Sequence, residues 1–135
     1  MIRVAAGILL RGGRVLICQR RRDAAFPLKW EFPGGKLKEG ESAGSALCRE
    51  LGEELGIVVP PEGVRIVEVA RHRYREGPEV ELHFFTVSAF SGEPANLAFE
   101  TIIWVPAERI GDHDFLEADR PLVARLAAGG IGSLS

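Results

Sequence analysis

The sequence lacks most of what would mark a special architecture. Its 135 residues include two cysteines, Cys18 and Cys48, and neither lies in a CxxC pair. That excludes a disulfide framework and a cysteine zinc site. Both are expected as reduced, partly buried thiols of a cytoplasmic protein. Histidine is scarce too: His72, His83 and His113 share no metal-ligand spacing and read as surface or core residues. Charge of one sign is missing. Seventeen Lys and Arg against nineteen Asp and Glu leave a net charge of −2, not the footprint of a protein that wraps nucleic acid polymers. There is no long hydrophobic run. Residues 4–10 fall far short of the about 20 that span a membrane. Arg11 follows at once with no cleavage region, which argues against a secretory signal. No repeat, low-complexity run or linker breaks the chain. With 46% hydrophobic and 27% charged residues, disorder, collagen-like structure and a coiled coil are excluded, and the length fits one domain, 1–135.

What is present reads as strands around one strong helix. Residues 2–10 and 15–19 flank Arg11-Gly12-Gly13-Arg14, a strand–turn–strand pattern. A loop over 20–29, broken by Pro27, leads to Trp30-Glu31-Phe32 and a Pro33-Gly34-Gly35 turn. Over 42–55, Ala43, Ala46, Leu47, Leu51 and Leu55 recur at spacings of three and four. They make one apolar helix stripe, with Ser42 to cap it and Gly56 to end it. Residues 64–69 and 80–90 are strand-like around a Gly77-Pro78 turn. Residues 102–105 read as a short buried strand, 106–110 as the start of a helical turn, and 121–128 as a last helix closed by Gly129-Gly130. Strands on both sides of one long helix imply an α/β or α+β layer architecture with a mixed sheet.

The chemistry lies on the long helix. Glu50, Glu53 and Glu54 stand at i, i+3 and i+4, so they span about 100° of the circumference and project from one side. Three like charges this close repel, and the last turns of a helix disfavour anions. Arg49 is expected to point elsewhere. Charge gathered against both penalties points to a bound cation, and carboxylate oxygens suit Mg²⁺ or Mn²⁺. The alternative is a solvated acidic face. Gly44 and Gly52 each cost about 1 kcal/mol of helix propensity relative to Ala and are expected to admit a neighbouring backbone or a ligand. The 33–35 turn is placed to offer carbonyls and amides to the same metal or phosphate.

The segment from Gly35 to Ile57 resembles the Nudix box, G-x5-E-x7-R-E-U-x-E-E-x-G-U, with U a bulky aliphatic residue. Gly35, Glu41, Arg49, Glu50, Leu51, Glu53, Glu54, Gly56 and Ile57 meet its nine fixed positions. Residues 30–36, Ser91-Gly92-Glu93-Pro94, Trp104 and Ala118-Asp119-Arg120-Pro121 also resemble the MutT-like nucleoside triphosphate pyrophosphohydrolases of that family. The likeness covers nearly the whole chain. It implies the Nudix fold, an α/β/α sandwich around a mixed sheet. It also implies Mg²⁺-dependent (or Mn²⁺-dependent) cleavage of a nucleoside triphosphate to the monophosphate and pyrophosphate. The expected role is nucleotide-pool sanitising and avoidance of DNA damage in the cytoplasm, by a monomer or homodimer with no nucleic acid polymer or membrane as partner.

By the same resemblance, Glu50, Glu53 and Glu54 are the catalytic metal carboxylates and a carbonyl of the Gly34-Gly35 pair is the backbone ligand. Glu41 and Arg49 brace loop to helix. Arg20 meets the triphosphate, while Glu31, Phe32, Pro33 and Gly34 line the substrate side. The sequence departs from the pattern at the further metal glutamate. Glu100 is the nearby candidate, but it stands four residues before Trp104 where the subgroup more often has its glutamate six before, and position 98 is Ala. Asp119 falls where the subgroup contacts the base. A carboxylate accepts hydrogen bonds and the cytosine N4 amino group donates them, which favours (d)CTP or modified cytosine nucleotides. The alternatives are an Asp119 that only caps the last helix, an 8-oxo-dGTP diphosphatase, a Nudix enzyme for dinucleoside polyphosphates, ADP-ribose or capped RNA ends, and a catalytically silent nucleotide-binding module. Arg21 and Arg22 read as solvated loop, and Arg71, Arg73 and Arg75 as a strand face that is basic or simply solvent-facing.

Overall fold

Ten residues with apolar positions on both faces open the chain as β1 (Ile2–Arg11), and Gly12-Gly13 turns it back into β2 (Arg14–Gln19). Both glycines hold positive φ, 58° and 74°, which a two-residue hairpin turn requires and a Cβ resists. The computed structural model describes residues 1–131; 132–135, the end of the expected 1–135 domain, lie outside the described residues. β3 (Trp30–Glu31), β4 (Gly34–Lys36), β5 (Val64–Arg73), β6 (Glu79–Val87) and β7 (Thr101–Pro106) complete a mixed sheet. Its order is β3-β2-β1-β6-β5, with β4 on β1 and β7 on β2. β1 and β6 run parallel and the other pairs antiparallel.

The period of two then sorts side chains to opposite faces. Ala5, Leu9, Leu16, Cys18, Phe85 and Val87 form one core with Ala46, Leu47, Leu51 and Leu55 of α1 (Ala43–Leu55). Ala6, Ile8, Val15, Ile17, Leu82 and Phe84 form the other with Leu122, Val123 and Leu126 of α2 (Arg120–Ala127). The result is the expected sandwich of helix, mixed sheet and helix. No helix among the described residues is long and apolar enough to cross a membrane.

α1 starts and stops as its ends dictate. The Ser45 N–H donates to Ser42 Oγ at 3.2 Å, and Gly56 ends the helix at φ 68°, its N–H donating to the Gly52 carbonyl at 3.1 Å. Four expectations are corrected. The 33–35 segment is no free turn: Gly34 to Lys36 pair with Ala6 to Val4 of β1 as a strand. β5 joins residues 64–69 and the expected Arg71 and Arg73 strand face into one run that ends at Arg73, short of Arg75, and Arg71 and Arg73 meet Glu81 and Glu79 across the ladder, opposite charges that support pairing. Those ion pairs also neutralise the basic face, and Arg75 lies beyond the strand. β6 stops at Val87, and the Ser88 N–H turns to the Gly63 carbonyl. The helix glycines admit no close approach: a Cβ on Gly44 or Gly52 would come no nearer than 3.8 and 3.5 Å to a neighbour, which is ordinary contact.

Candidate active site

α1 buries its leucine stripe against the sheet, which leaves Glu50 and Glu54 directed at β4 and Glu53 at solvent. The Gly34 N–H donates to Glu54 Oε1 at 3.0 Å. Gly34 sits at φ 149°, and a Cβ there would lie 2.0 Å from the Ala5 carbonyl oxygen. A Cβ on Gly35 would lie 2.5 Å from the Glu50 carboxyl carbon. The two glycines therefore do separate work. The first lets β4 lie against β1, and the second lets a carboxylate rest against the backbone.

Arg49 does not point elsewhere, which corrects the sequence expectation. Its Nη1 donates to Glu50 Oε1 at 2.8 Å and reaches Glu53 at 3.3 Å, while Nε and Nη2 fork onto Glu41 at 2.8 and 3.0 Å. One guanidinium thus offsets the repulsion on the helix face and ties the 37–42 loop to it. Its bonds, with the Lys38 N–H, hold the Glu41 carboxyl down at about 2 and push Arg49 above its ordinary range. Glu54 has no such partner. Burial pushes its carboxyl up to about 8; the Gly34 N–H opposes this, and Glu50, Glu31 and Glu53 add to it. Burial, Glu54 and Glu31 likewise push the Cys18 thiol up.

A hard cation fits this donor set. Among the described residues the half-buried Glu54 has anionic neighbours and no ion-paired cation, and the facing groups are carboxylate oxygens beside a glycine backbone, the ligands that Mg²⁺ and Mn²⁺ take. Among the described residues no three His, Cys, Asp or Glu side chains already converge as a closed metal site. Glu100 is placed otherwise. It accepts from the Arg22 backbone N–H at 3.3 Å and from Nη2 at 3.4 Å. Arg21 is exposed and pairs with Asp23.

A second group of residues continues from this one. Arg20 Nη1 donates to both Glu31 oxygens at 3.1 and 3.2 Å, and its Nε to the Ala25 carbonyl at 2.6 Å. Burial raises the Glu31 carboxyl, and Arg20 opposes the rise. Arg20, Glu31 and Glu54 share the walls of a cavity of about 180 Å³, so the basic residue expected at the phosphates does lie beside the carboxylates. Phe32 does not present its ring to that side: it is buried against Phe84 and Phe115, with centroids 6.3 and 5.4 Å away. Pro33 is buried too, its carbonyl accepting the Gly7 N–H at 2.8 Å. Asp119 is buried and makes no side-chain cap bond to α2, which removes the helix-cap alternative. Burial pushes its carboxyl up to about 8, Glu31 adds, and the Phe32 N–H and Arg20 oppose.

The sequence reading missed the aromatic pair beside Asp119. Tyr74, the chain's one tyrosine, lies just beyond β5, and its ring meets Phe26 of the 20–29 loop at 4.9 Å and His72 at 4.7 Å. Phe26 and Tyr74 line a cavity of about 240 Å³ with Lys29, Leu116, Glu117 and Arg120. Nothing local marks these residues, since only the fold brings the loop to the end of β5. A larger cavity of about 570 Å³, between Arg3, Lys38, Arg71 and Glu81, borders Glu41 but none of the three helix carboxylates expected to bind metal.

With this geometry in hand, three kinds of likeness agree. The model of the NUDIX domain matches residues 1–126. The CTP pyrophosphohydrolase of Escherichia coli K12 is 36% identical over 129 residues, covering 95% of this chain and 93% of that protein. The 8-oxo-dGTP diphosphatase of the same organism is 31% identical over 126 residues, covering 93% and 95%. The solution structure of the E. coli ORF135 protein superposes with a TM-score of 0.78 at 35% identity, covering 95% of this chain and 89% of that one.

Proposed function

The chain belongs to the Nudix family, whose hydrolases act on nucleotides, and from that membership we propose that it is a MutT-like pyrophosphohydrolase. It takes a (deoxy)nucleoside triphosphate to the monophosphate and pyrophosphate, with Mg²⁺ as the divalent ion and Mn²⁺ as a substitute. Its place of action is the cytoplasmic nucleotide pool, which it clears of damaging nucleotides. The observation that carries this reading is Glu54: a half-buried carboxylate with no cation partner among the described residues, anchored by the Gly34 N–H and surrounded by Glu50, Glu53 and Glu31.

Each residue has a task in this mechanism. Glu54 and Glu50 are held from the β4 side, by an amide and by the space Gly35 leaves. Glu53, exposed on the solvent side of the helix and steadied by Arg49 Nη1 at 3.3 Å, orients the attacking water and takes its proton. Arg49 keeps Glu50 and Glu53 in register, which limits the reorganisation that the reaction demands. Arg20 is pre-set by Glu31 next to the carboxylates, where its guanidinium meets the phosphate chain. Glu50, Glu53 and Glu54, with a carbonyl of the Gly34-Gly35 pair, would hold Mg²⁺ there, and the ion would neutralise charge on the phosphate oxygens and acidify the water.

Asp119 is the base contact in this reading, and it carries the lean toward (d)CTP or modified cytosine nucleotides. The 8-oxo-dGTP reading is the second, favoured by the relative that bears that name. A panel of nucleotides assayed for Mg²⁺-dependent release of pyrophosphate tests both. Selective turnover of cytosine nucleotides supports the first and of 8-oxo-dGTP the second. Release of inorganic phosphate instead, or turnover only of dinucleoside polyphosphates or ADP-ribose, refutes the pyrophosphohydrolase assignment.

A further inference from the structure

Asp119 is the one buried charged side chain among the described residues, 4% exposed. The charges around it come from every element packed there. From the end of β2, Arg20 is committed to Glu31 and the Ala25 carbonyl. From β3, Glu31 faces Asp119 as a like charge. From the end of β5 comes Tyr74, its hydroxyl raised by burial and by Asp119, with the Ala118 backbone N–H opposing. His72 of β5 packs on Tyr74 and lies 3.6 Å from Glu117. On the acid's own element, Arg120 turns away to the Phe115 carbonyl and Asp114. Among the described residues no side-chain cation forms an ion pair with Asp119, and only the Phe32 N–H and then the more distant Arg20 favour its charged form. A buried acid in that position is more stable neutral than charged.

We propose that Asp119, in the base-contact role on which this inference rests, meets the nucleobase as a neutral carboxylic acid that donates and accepts at once, so that base choice changes when the acid ionises. The chemistry amends the sequence argument, which treated Asp119 as an acceptor only. A protonated carboxyl presents an O–H donor beside a C=O acceptor, and a carboxyl kept neutral by its surroundings is an established way to donate a hydrogen bond at neutral pH. Cytosine presents an N4 amino donor beside the N3 acceptor, a match on both sides. Guanine suits either form: its O6 and N1–H match the neutral acid, and its N1–H and N2 amino group match the carboxylate. Facing cytosine, a carboxylate keeps the N4 bond but sets its charge against the N3 lone pair. Ionisation therefore withdraws affinity from cytosine and spares guanine.

Calorimetric binding of dCMP and of dGMP to the Mg²⁺-loaded full-length chain tests this at pH 6.5 and pH 9.0, in buffers of different ionisation enthalpy. The phosphate is common to both ligands and cancels in the comparison. The preference for dCMP over dGMP is expected to fall about tenfold across that range. At pH 9.0, dCMP is expected to take up close to one proton more than dGMP. Asp119→Asn, which keeps a donor and an acceptor without a titration, should abolish both effects. A wild-type preference that stays constant, with equal proton uptake, overturns the proposal and needs no variant to read. Asp119→Ala separates the two levels. If it weakens dCMP while the wild-type preference is flat, the base contact stands and the neutral acid falls. If it binds both nucleotides as the wild type does, the base contact itself falls.

Discussion

Gly34 and Gly35 are adjacent, yet an alanine at each should do opposite things. At Gly34 the new Cβ would stand 2.0 Å from the Ala5 carbonyl oxygen and 2.9 Å from its carbon. Real Cβ atoms keep at least about 3 Å from such atoms, so two paired backbones must separate by about 1 Å. The φ of 149° adds strain of about 1–3 kcal/mol for a residue with a Cβ. The pairs Val4↔Lys36, Ala5↔Gly35 and Ala6↔Gly34 loosen together, at about 1 kcal/mol per lost hydrogen bond. Gly34→Ala should then cost about 3–5 kcal/mol, a large share of the about 5–15 kcal/mol that holds a domain together. At Gly35 the clash is with the tip of Glu50, 2.5 Å away, and a side-chain tip can swing aside. Gly35→Ala should change stability by less than about 1 kcal/mol. Moving the Glu50 carboxylate by even about 1 Å at a reacting centre costs about 10²-fold in rate. Urea unfolding midpoints beside pyrophosphate release at saturating Mg²⁺ measure both. A Gly34→Ala protein as stable as the wild type, or a Gly35→Ala protein with undiminished turnover, would refute the reasoning.

Other outcomes follow from the same geometry. Glu53→Gln should lower kcat by about 10²–10⁴-fold while the unfolding midpoint moves little, since Glu53 faces solvent; near-full turnover with Mg²⁺ removes it from the mechanism. Mg²⁺ at about 100 times its dissociation constant should stabilise the wild type by about 2.7 kcal/mol, read as a rise in melting temperature, and Glu54→Gln should lose most of that rise. Glu41 is held at about 2 against an ordinary 4.5, so its bonds to Arg49 stabilise the fold above pH 4.5 and that contribution is lost as pH falls toward 2. The acid limb of a stability–pH curve should flatten in Glu41→Gln, and an unchanged limb would mean that the brace contributes nothing. Asp119 is raised from 3.8 to about 8. Its contribution is complete below pH 3.8 and is lost as pH climbs to 8, so Asp119→Asn should flatten the slope between them; parallel curves would show that the acid is not buried.

The helix and its carboxylates were legible because they are local facts. A stripe of Ala and Leu at helical spacing, a serine before it, a glycine after it and three glutamates on one flank all depend on residues within a few turns of one another, so the periodicity and caps of α1 follow from them directly. The same holds for the Gly12-Gly13 hairpin. Other features needed the folded chain. Pro33-Gly34-Gly35 has turn chemistry by itself, and its two glycines became strand because the edge of β1 away from β6 is open to them at Ala5 and Ala6. Arg49 has several rotamers along a helix; Glu41, brought round by the 37–42 loop, selects the one that also covers Glu50 and Glu53. Asp119 was legible as an acid but not as a buried one: its surroundings come from β3, the end of β2 and the end of β5, and ionisation depends on burial and distant charge, which no spacing along the chain encodes. The sequence by itself determined which groups are present and which share a helix face. The tertiary structure alone decided which of them keep their charge, because that depends on the neighbours a side chain acquires in space.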